Sequence, residues 1–293
     1  MHVAFIFSLA LSGIEYGLVL GLMAAGLSLI YGVMGNVNTA HGTFYMLGGF
    51  LLFLLSIAGL PTPAAIAIAV AASFALGIAV IFALPANLRI AVSSDDANLT
   101  MITMLMLAIA VEYLLDVLTG GVTLPVPSLA IGSFTLSHVA FTYQSIIAAV
   151  MSAAVYAALA AFLRYSKIGK AIRAYSQNQE LAEALGVEGS KIVALAFGIG
   201  VALAALSGTL LTPIYGVNSS SGWDMLVIAF IIVTLGGLGS IFGSLIGSMI
   251  YGIGYSLLSY YMPTYTYIIL LVIIYVIIIL KPTGIMGEIV EKF

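Results

Sequence analysis

Two carboxylates, Glu112 and Asp116, stand four residues apart within an apolar block and so share a face of any helix that carries them. If that block crosses a membrane, each charge costs about 2.5–3.5 kcal/mol, which usually means that it faces a cavity or a wet helix end. Glu15 lies in the first apolar block, and Asp224 adjoins the lone tryptophan, Trp223. The four acids read either as an acidic mouth that favours cationic or amine-bearing solutes or, for Glu15, Asp116 and Asp224, as ordinary wet helix ends. Asn36, Asn38 and His41 form a second polar group, in a short run between two apolar blocks. Such side chains can line a solute path or end a broken helix, and the sequence leaves both readings open.

Covalent or acid–base catalysis has little to work with. His2, His41 and His138 are far apart in sequence, no His-Glu-x-x-His run occurs, and no Gly-x-x-x-x-Gly-Lys-Ser/Thr loop offers a phosphate cradle. The Gly-Ser pairs lack the strand-to-helix setting of a nucleophile. Cysteine is absent, which removes disulfides, Cys-ligated zinc and thiol chemistry. The expectation is a chain with no catalytic residue, no metal site and no cofactor of its own.

Composition dictates the elements that must position these residues. Of 293 residues, 63% are hydrophobic and only 6% are charged, against about 25% in soluble domains, so charge cannot cover a water-facing exterior. Lipid is the main solvent. A span needs about 20 apolar residues, which leaves room for about eight to ten spans and no sizeable soluble domain, a single membrane domain over 1–293. The blocks lack the alternation of barrel strands, so the fold class is all-α and polytopic, in an inner membrane. Nothing suggests a nucleic-acid partner, and the opening Met1-His2-Val3 carries no basic region of a removable signal peptide.

Apolar blocks between polar breaks predict spans near 12–34, 43–58, 63–88, 99–118, 141–163, 191–213, 223–238, 241–260 and 264–280. The basic residues are Arg89, then Arg164, Lys167, Lys170, Arg173 and Lys191, then Lys281 and Lys292. An even number of spans separates each group from the next, so all fall on one side, which the positive-inside rule makes cytoplasmic. The C-terminus and the loop 164–191 are then inside, and the N-terminus outside.

Three polar interruptions break the pattern. Residues 35–49 are too polar and glycine-rich for a lipid-facing helix, and irregular backbone at such depth survives only where protein or water covers it. This predicts either a discontinuous helix beside a path or a short cytoplasmic turn. In 164–191, Ser176 followed by Gln179 is a capping-box spacing, and Leu181, Ala184 and Leu185 recur on one helical face before Gly186. A short amphipathic helix over 177–185 follows, whose apolar stripe needs a partner or a lipid surface. In 236–247, Gly239, Gly243 and Gly247 share a helical face, as Gly13, Gly17 and Gly21 do in the first span, which predicts close backbone packing.

Four motifs in register resemble the branched-chain amino acid ABC importer permease family. They are Asn36-x-Asn38-x-Ala40-His41-Gly42 with Met46-x-Gly48; Gly169-x-Ala171-x-Arg173-Ala174-x-x-Gln177-Asn178-x-Glu180-x-Ala182-x-x-Leu185-Gly186-Val187; Gly236-Gly237-Leu238-Gly239-Ser240-x-x-Gly243; and Lys281-Pro282-Thr283-Gly284-Ile285-x-Gly287. The resemblance implies a fold like vitamin-B12-type (type II) importer membrane domains, with discontinuous helices around a central path. It also implies a second homologous permease, two cytoplasmic ATPases that bind ATP and Mg, and an extracytoplasmic solute-binding protein. Arg173, Ser176, Gln177, Asn178, Glu180, Ala182, Leu185 and Gly186 then belong to the element that couples to the ATPases. Asn36, Asn38, His41, Glu112 and Asp116 are the candidates for the path.

Two departures bear on the solute. Family members commonly carry a Gln near the position of Glu112 and a Lys just before the Ala229-Phe230 pair, where this chain has Ile228. One acid gained and one base lost make the path more negative. Urea, amides, cationic amino acids or amines therefore stand beside branched-chain amino acids as solutes. A self-sufficient proton- or cation-coupled transporter using Glu112 and Asp116 is the rival from another class.

Overall fold

The computed structural model describes residues 2–83, 97–281 and 283–286. In chain order its helices are α1 (His2–Met34), α2 (His41–Ile57), α3 (Thr62–Ala83), α4 (Ala97–Thr119), α5 (Tyr143–Tyr165), α6 (Lys167–Gln177), α7 (Gln179–Ala184), α8 (Gly189–Tyr215), α9 (Ser221–Gly236), α10 (Ile241–Tyr261) and α11 (Thr266–Leu280). Seven helices are long and apolar enough to cross a membrane, while α2 and α9 are shorter apolar helices. Each expected span thus has its helix. The expected end of the third span, Arg89, Pro282, Gly287 and Lys292 lie outside the described residues.

Two departures from expectation have local causes. The first helix starts at His2 rather than at residue 12, because 3–11 is apolar and Ser8 satisfies its hydroxyl on the Ala4 carbonyl at 2.9 Å within the helix. Between α4 and α5, where only a loop is expected, strands β1 (Ser133–Leu136) and β2 (Val139–Thr142) form an antiparallel hairpin. Ser137 and His138 make its turn, both with positive φ, and Phe134 stacks on Phe141 across the pair. His138 therefore belongs to a turn, far from His41 in sequence and in role.

The core is built around α1 and α8, both buried along most of their length. Small residues let their backbones approach the neighbours. A Cβ on Gly13 would lie 2.6 Å from the Gly252 carbonyl oxygen, and one on Gly252 would overlap the Gly13 carbonyl. Gly17 meets Ser248, and Gly21 meets the side chains of Ser248 and Tyr156. Gly243 and Gly247 instead face α9, at Gly236 and Ile232. Gly239 does not share their helical face: it sits in the turn between α9 and α10 with φ +82°, because Ser240 caps α10 by accepting the Gly243 N–H.

Cross-helix hydrogen bonds add to this packing. Ser207 donates to the Val19 carbonyl at 2.9 Å, Ser256 to the Leu9 carbonyl at 2.8 Å, and Tyr156 to the Gly21 carbonyl. In hydrocarbon each such hydroxyl would otherwise lack a partner.

The two ends of the bundle differ in charge. Arg164, Lys167, Lys170, Arg173, Lys191 and Lys281 cluster where α1, α5, α9 and α11 finish and where the tail returns, Ile285 donating to the Leu235 carbonyl at 2.9 Å. The opposite end holds the start of α1, the hairpin and the α8–α9 connection. Exposed Tyr215, Tyr260, Tyr261, Tyr265 and Tyr267 gather there, the side chains of a membrane–water boundary.

Backbone contact at Gly252 makes a clear expectation. Gly252→Ala should destabilise the fold by about 1–3 kcal/mol through overpacking. Gly32→Ala, whose Cβ would meet Gly239 only at an ordinary 3.5 Å, should be neutral or stabilising. Unfolding in mixed detergent micelles measures both, and equal stability of the two variants would refute the packing argument.

Candidate functional site

The polar run after α1 turns back into the bundle. Gly35 leaves the helix with φ +68°, and the chain climbs to His41, whose Nε2 bonds the Met23 carbonyl at 2.9 Å. Met23 lies about three turns of helix back from Met34, so α2 begins well inside the bundle. Asn38 holds the bend by accepting the Ala40 N–H at 3.0 Å, and Asn36, Asn38 and His41 are all buried. The break covers 35–40 only; the glycine-rich stretch from 41 is helical, because Gly42 and Gly48 are where α2 touches other backbones.

A second short helix starts at the same place. The chain leaves α8 through Gly216, φ +76°, and pairs with the α4–α5 segment, Leu124 donating to the Val217 carbonyl at 2.8 Å and receiving the reverse bond at 3.1 Å. It then enters α9, where Gly222 lies against Gly42: a Cβ on Gly42 would overlap the Gly222 carbonyl oxygen. Two half-helices thus meet at their N-termini inside the bundle. Their free N–H groups and partial positive charges converge there.

The acids of α4 face this junction. Glu112 accepts a hydrogen bond from the indole N–H of Trp223, and Asp116 accepts one from Ser219 at 2.7 Å. A small cavity between α2, α4 and α9 is lined by Thr39, Thr43, Glu112, Ser219 and Trp223 together with the Gly42–Gly222 contact. Helix N-termini and an indole donor explain how a half-buried carboxylate is tolerated at this depth. Glu15 stands apart, on α1 near Ser145, and Asp224 is exposed in the first turn of α9. The structure therefore brings Glu112, Asp116 and the helix after His41 together, and leaves Glu15 and Asp224 outside. Trp223 and Ser219, the partners of the acids, had no signal in the sequence beyond adjacency to Asp224.

At the basic end the expected short helix divides in two. Arg173, Ser176 and Gln177 belong to α6, which Ser166 caps by accepting the Gly169 N–H at 2.8 Å. The helix over 177–185 is instead α7, and its cap is Asn178, which accepts the Leu181 N–H at 2.9 Å; Ser176 donates to the Arg173 carbonyl and caps nothing. Glu180 lies in the first turn of α7, where the helix dipole favours an acid. At the other end Val187 donates to the Ala182 carbonyl and Gly186 to the Glu183 carbonyl, with Gly186 at φ +90°, a Schellman close.

The apolar face of α7 is also other than expected. Ala182 is the buried residue, whereas Leu181 is 58% and Leu185 79% exposed. The helix is held from behind: Gln179 donates to the Val33 carbonyl at the end of α1 at 2.9 Å, and Tyr175 donates to Glu183 at 3.3 Å above Gly189. Burial and the Glu183 carboxylate push the Tyr175 phenol above its ordinary pKa, so it stays a donor.

Long apolar helices around two half-helices that meet inside the bundle define a multi-pass membrane protein with the architecture of solute translocators. Residues 9–278 match the family model described as branched-chain amino acid transport system / permease component, and the chain belongs to that family. It is a permease component, a transport subunit and not an enzyme. It is similar to the high-affinity branched-chain amino acid transport system permease protein LivH of Escherichia coli strain K12, 31% identical over 292 residues and 94% of each chain. BraD of Pseudomonas aeruginosa, of the same description, is 28% identical over 94% of each chain. A probable branched-chain amino acid transport permease protein LivH of Methanocaldococcus jannaschii is 25% identical over 94% of this chain and 90% of that one. Among solved structures, a chain of PsaBC from Streptococcus pneumoniae in complex with Fab aligns over 96% of this chain and 95% of that one, at 16% identity and a TM-score of 0.49.

The Glu112–Trp223 bond should be measurable. In a double-mutant cycle of Glu112→Ala and Trp223→Phe, unfolding in mixed micelles should give a coupling of about 1 kcal/mol, reduced from a buried charged bond by partial exposure. Additive effects of the two substitutions would mean that the bond contributes nothing.

Proposed function

We propose that this chain forms the translocation path for branched-chain or related amino acids in an ATP-driven importer. It works beside a second permease of the same kind, is driven by two cytoplasmic ATPases that hold ATP and Mg, and receives solute from an extracytoplasmic binding protein. The observation that carries the reading is α7, a capped helix fixed from behind to α1 and presenting Leu181 and Leu185 outward. Two exposed leucines on a rigid single turn suit a groove on a partner and waste apolar surface otherwise.

Orientation follows from charge. Six basic residues at the α7 end make it the cytoplasmic face by the positive-inside rule, and the α4 acids then lie toward the outside. ATP-driven closure of the ATPases would push α7 and switch which side of the path is open. One observation favours a second reading of the solute: Glu112 and Asp116 lie beside the half-helix junction, where they would prefer an amine-bearing or cationic solute over a simple zwitterion.

The coupling reading is tested by Leu181→Asp with Leu185→Asp in the assembled complex. Solute-stimulated ATP hydrolysis should fall by at least about tenfold, as for loss of an interface anchor, while thermal unfolding stays unchanged because both side chains are exposed. Unaltered hydrolysis would remove α7 from the coupling role. Competition for uptake between leucine and amines, compared in wild type and Glu112→Gln, assigns the solute class; identical profiles would exclude Glu112 from recognition.

A further inference from the structure

The last of the sequence motifs, which begins at Lys281, folds onto the inner end of the half-helix α9. A helix leaves its last carbonyls without partners, and the residues just after it usually turn back to supply them. Here the chain leaves α9 with Gly237 at φ +109° and ψ +121°, and among the described residues the N–H groups that follow do not return to Leu235 or Gly236. Those two carbonyls are met from beyond α10 and α11: Ile285 donates to Leu235 and Met286 to Gly236, each at 2.9 Å.

The fit is close. Gly284 is buried with φ +75°, and a Cβ there would lie 2.6 Å from the Gly237 nitrogen and 2.7 Å from the Thr234 carbonyl oxygen. Conformation and space both demand glycine. Lys281, the residue that ends α11, donates from Nζ to the Ile285 carbonyl at 2.6 Å and so closes the segment into a loop. Residues 283–286 are thus a strap from α11 to α9.

The strap makes α9 a helix tied by hydrogen bonds at both ends. Its outer tie is Trp223, which donates to Glu112 about 20 Å from the strapped turn, at 1.5 Å per residue. A wound helix is a rod, so where its inner end is held decides how Trp223 stands against Glu112. The turn after α9 also lies on α1, Gly239 against Gly32, next to the Val33 carbonyl that holds Gln179 of α7.

We propose that the strap sets the position of α9 and, through that helix, the Trp223–Glu112 contact at the half-helix junction. Gly284 and Lys281 are positioning residues: they act through α9 and touch no solute. On the importer reading, on which this last step alone rests, the strap keeps the last turn of α9 wound. A displacement of the α1 end by α7 then reaches the junction and is not lost in a frayed turn.

Trp223 is the lone tryptophan, so its fluorescence reports the far end of α9 without a label. The test uses the full chain in lipid nanodiscs as wild type, Gly284→Ala, Lys281→Met and Met286→Ala. Hydrogen exchange at Ile285 and Met286 should be slow in wild type and about tenfold faster in Gly284→Ala, as for loss of two hydrogen bonds. In the same variant Trp223 emission should move to the red and its quenching by acrylamide should rise. Lys281→Met changes an exposed side chain, so the fold is kept, and it should shift both signals the same way by less. Met286→Ala keeps the N–H and removes only an exposed side chain, so it should match wild type.

Unshifted Trp223 emission in Gly284→Ala and Lys281→Met, with Ile285 and Met286 exchanging fast, would mean that the strap closes a turn and positions nothing. Fast exchange of the two amides in wild type would also overturn the proposal. In the assembled complex Gly284→Ala should lose solute-stimulated ATP hydrolysis while basal hydrolysis continues; full stimulation despite a shifted Trp223 would remove the strap from coupling. The fluorescence arm needs no ATPase and keeps the two readings apart. A Trp223 shift in a chain whose wild-type complex shows no ATP-driven uptake sinks the importer reading alone, and uptake with Trp223 unshifted in both variants sinks the strap alone.

Discussion

Inside hydrocarbon a helix cannot start or stop without exposing backbone groups, and the contact of Gly42 with Gly222 is where this chain starts two helices. Two helices begin there from opposite directions, one arriving from the basic end and one from the acidic end. Neither start can be bare. The His41 imidazole on the Met23 carbonyl, the Asn38 side chain on the Ala40 N–H and the Glu112 carboxylate beside Trp223 supply polar atoms at that depth. Remove the close approach and each half-helix would need water or new partners of its own. The glycines are thus a geometric condition for the break, since any Cβ would separate the two backbones.

Once that junction is fixed, much of the remaining packing is forced. Short helices leave space that a longer neighbour must fill, and α1 and α8 run the full depth beside them. Phe44 packs edge-on against Phe197, and Gly48 and Gly208 bring α2 against α8 backbone to backbone. The antiparallel α1–α10 pair then closes the other side through Gly13, Gly17 and Gly252. By contrast α4 buries little besides Met104 and Ala108 and adds polar ties from Glu112 and Asp116, while Met106, Tyr113, Leu114 and Val117 face outward.

The bilayer itself made the span pattern legible in the sequence. Apolar length and the side of the lysines and arginines are imposed by lipid, whatever the tertiary fold, so the seven long and two short apolar helices among the described residues could be placed along the chain before any packing was known. The polar run at 35–49 was legible as an interruption for the same reason, though not that the break is confined to 35–40 and the stretch from His41 is helical. Its return to Met23 was not, because nothing in a single sequence says which carbonyl a buried histidine meets. The cap of α7 was misplaced by two residues: Ser176 and Asn178 are both capping types, but Ser176 lies inside α6, whereas Asn178 has the extended backbone of a cap and accepts the Leu181 N–H. The hairpin at 133–142 escaped because Ser137-His138 is a poor signal for a turn with two positive φ angles. Trp223 and Glu112 are 111 positions apart, and only the meeting of α4 with α9 reveals that they are a pair.

One helix touches every part that matters. The Val33 carbonyl of α1 accepts from Gln179 of α7, its Met23 carbonyl accepts from His41 at the start of α2, and its Val19 carbonyl accepts from Ser207 of α8. Carbonyls that bond sideways in this way remain part of the helix, so α1 responds as a rod and not as separate segments. A push on α7 must therefore either break the Gln179–Val33 bond or displace the end of α1. In the second case the displacement reaches His41 and the half-helix junction through a rigid element, with no need for a chain of side-chain rearrangements. The same rod is tied to its neighbours along its length: the Ser256–Leu9 hydrogen bond and the glycine contacts hold it to α10, and the Gly26–Gly200 approach and the Ser207–Val19 bond hold it to α8, so a displaced end would carry those helices with it.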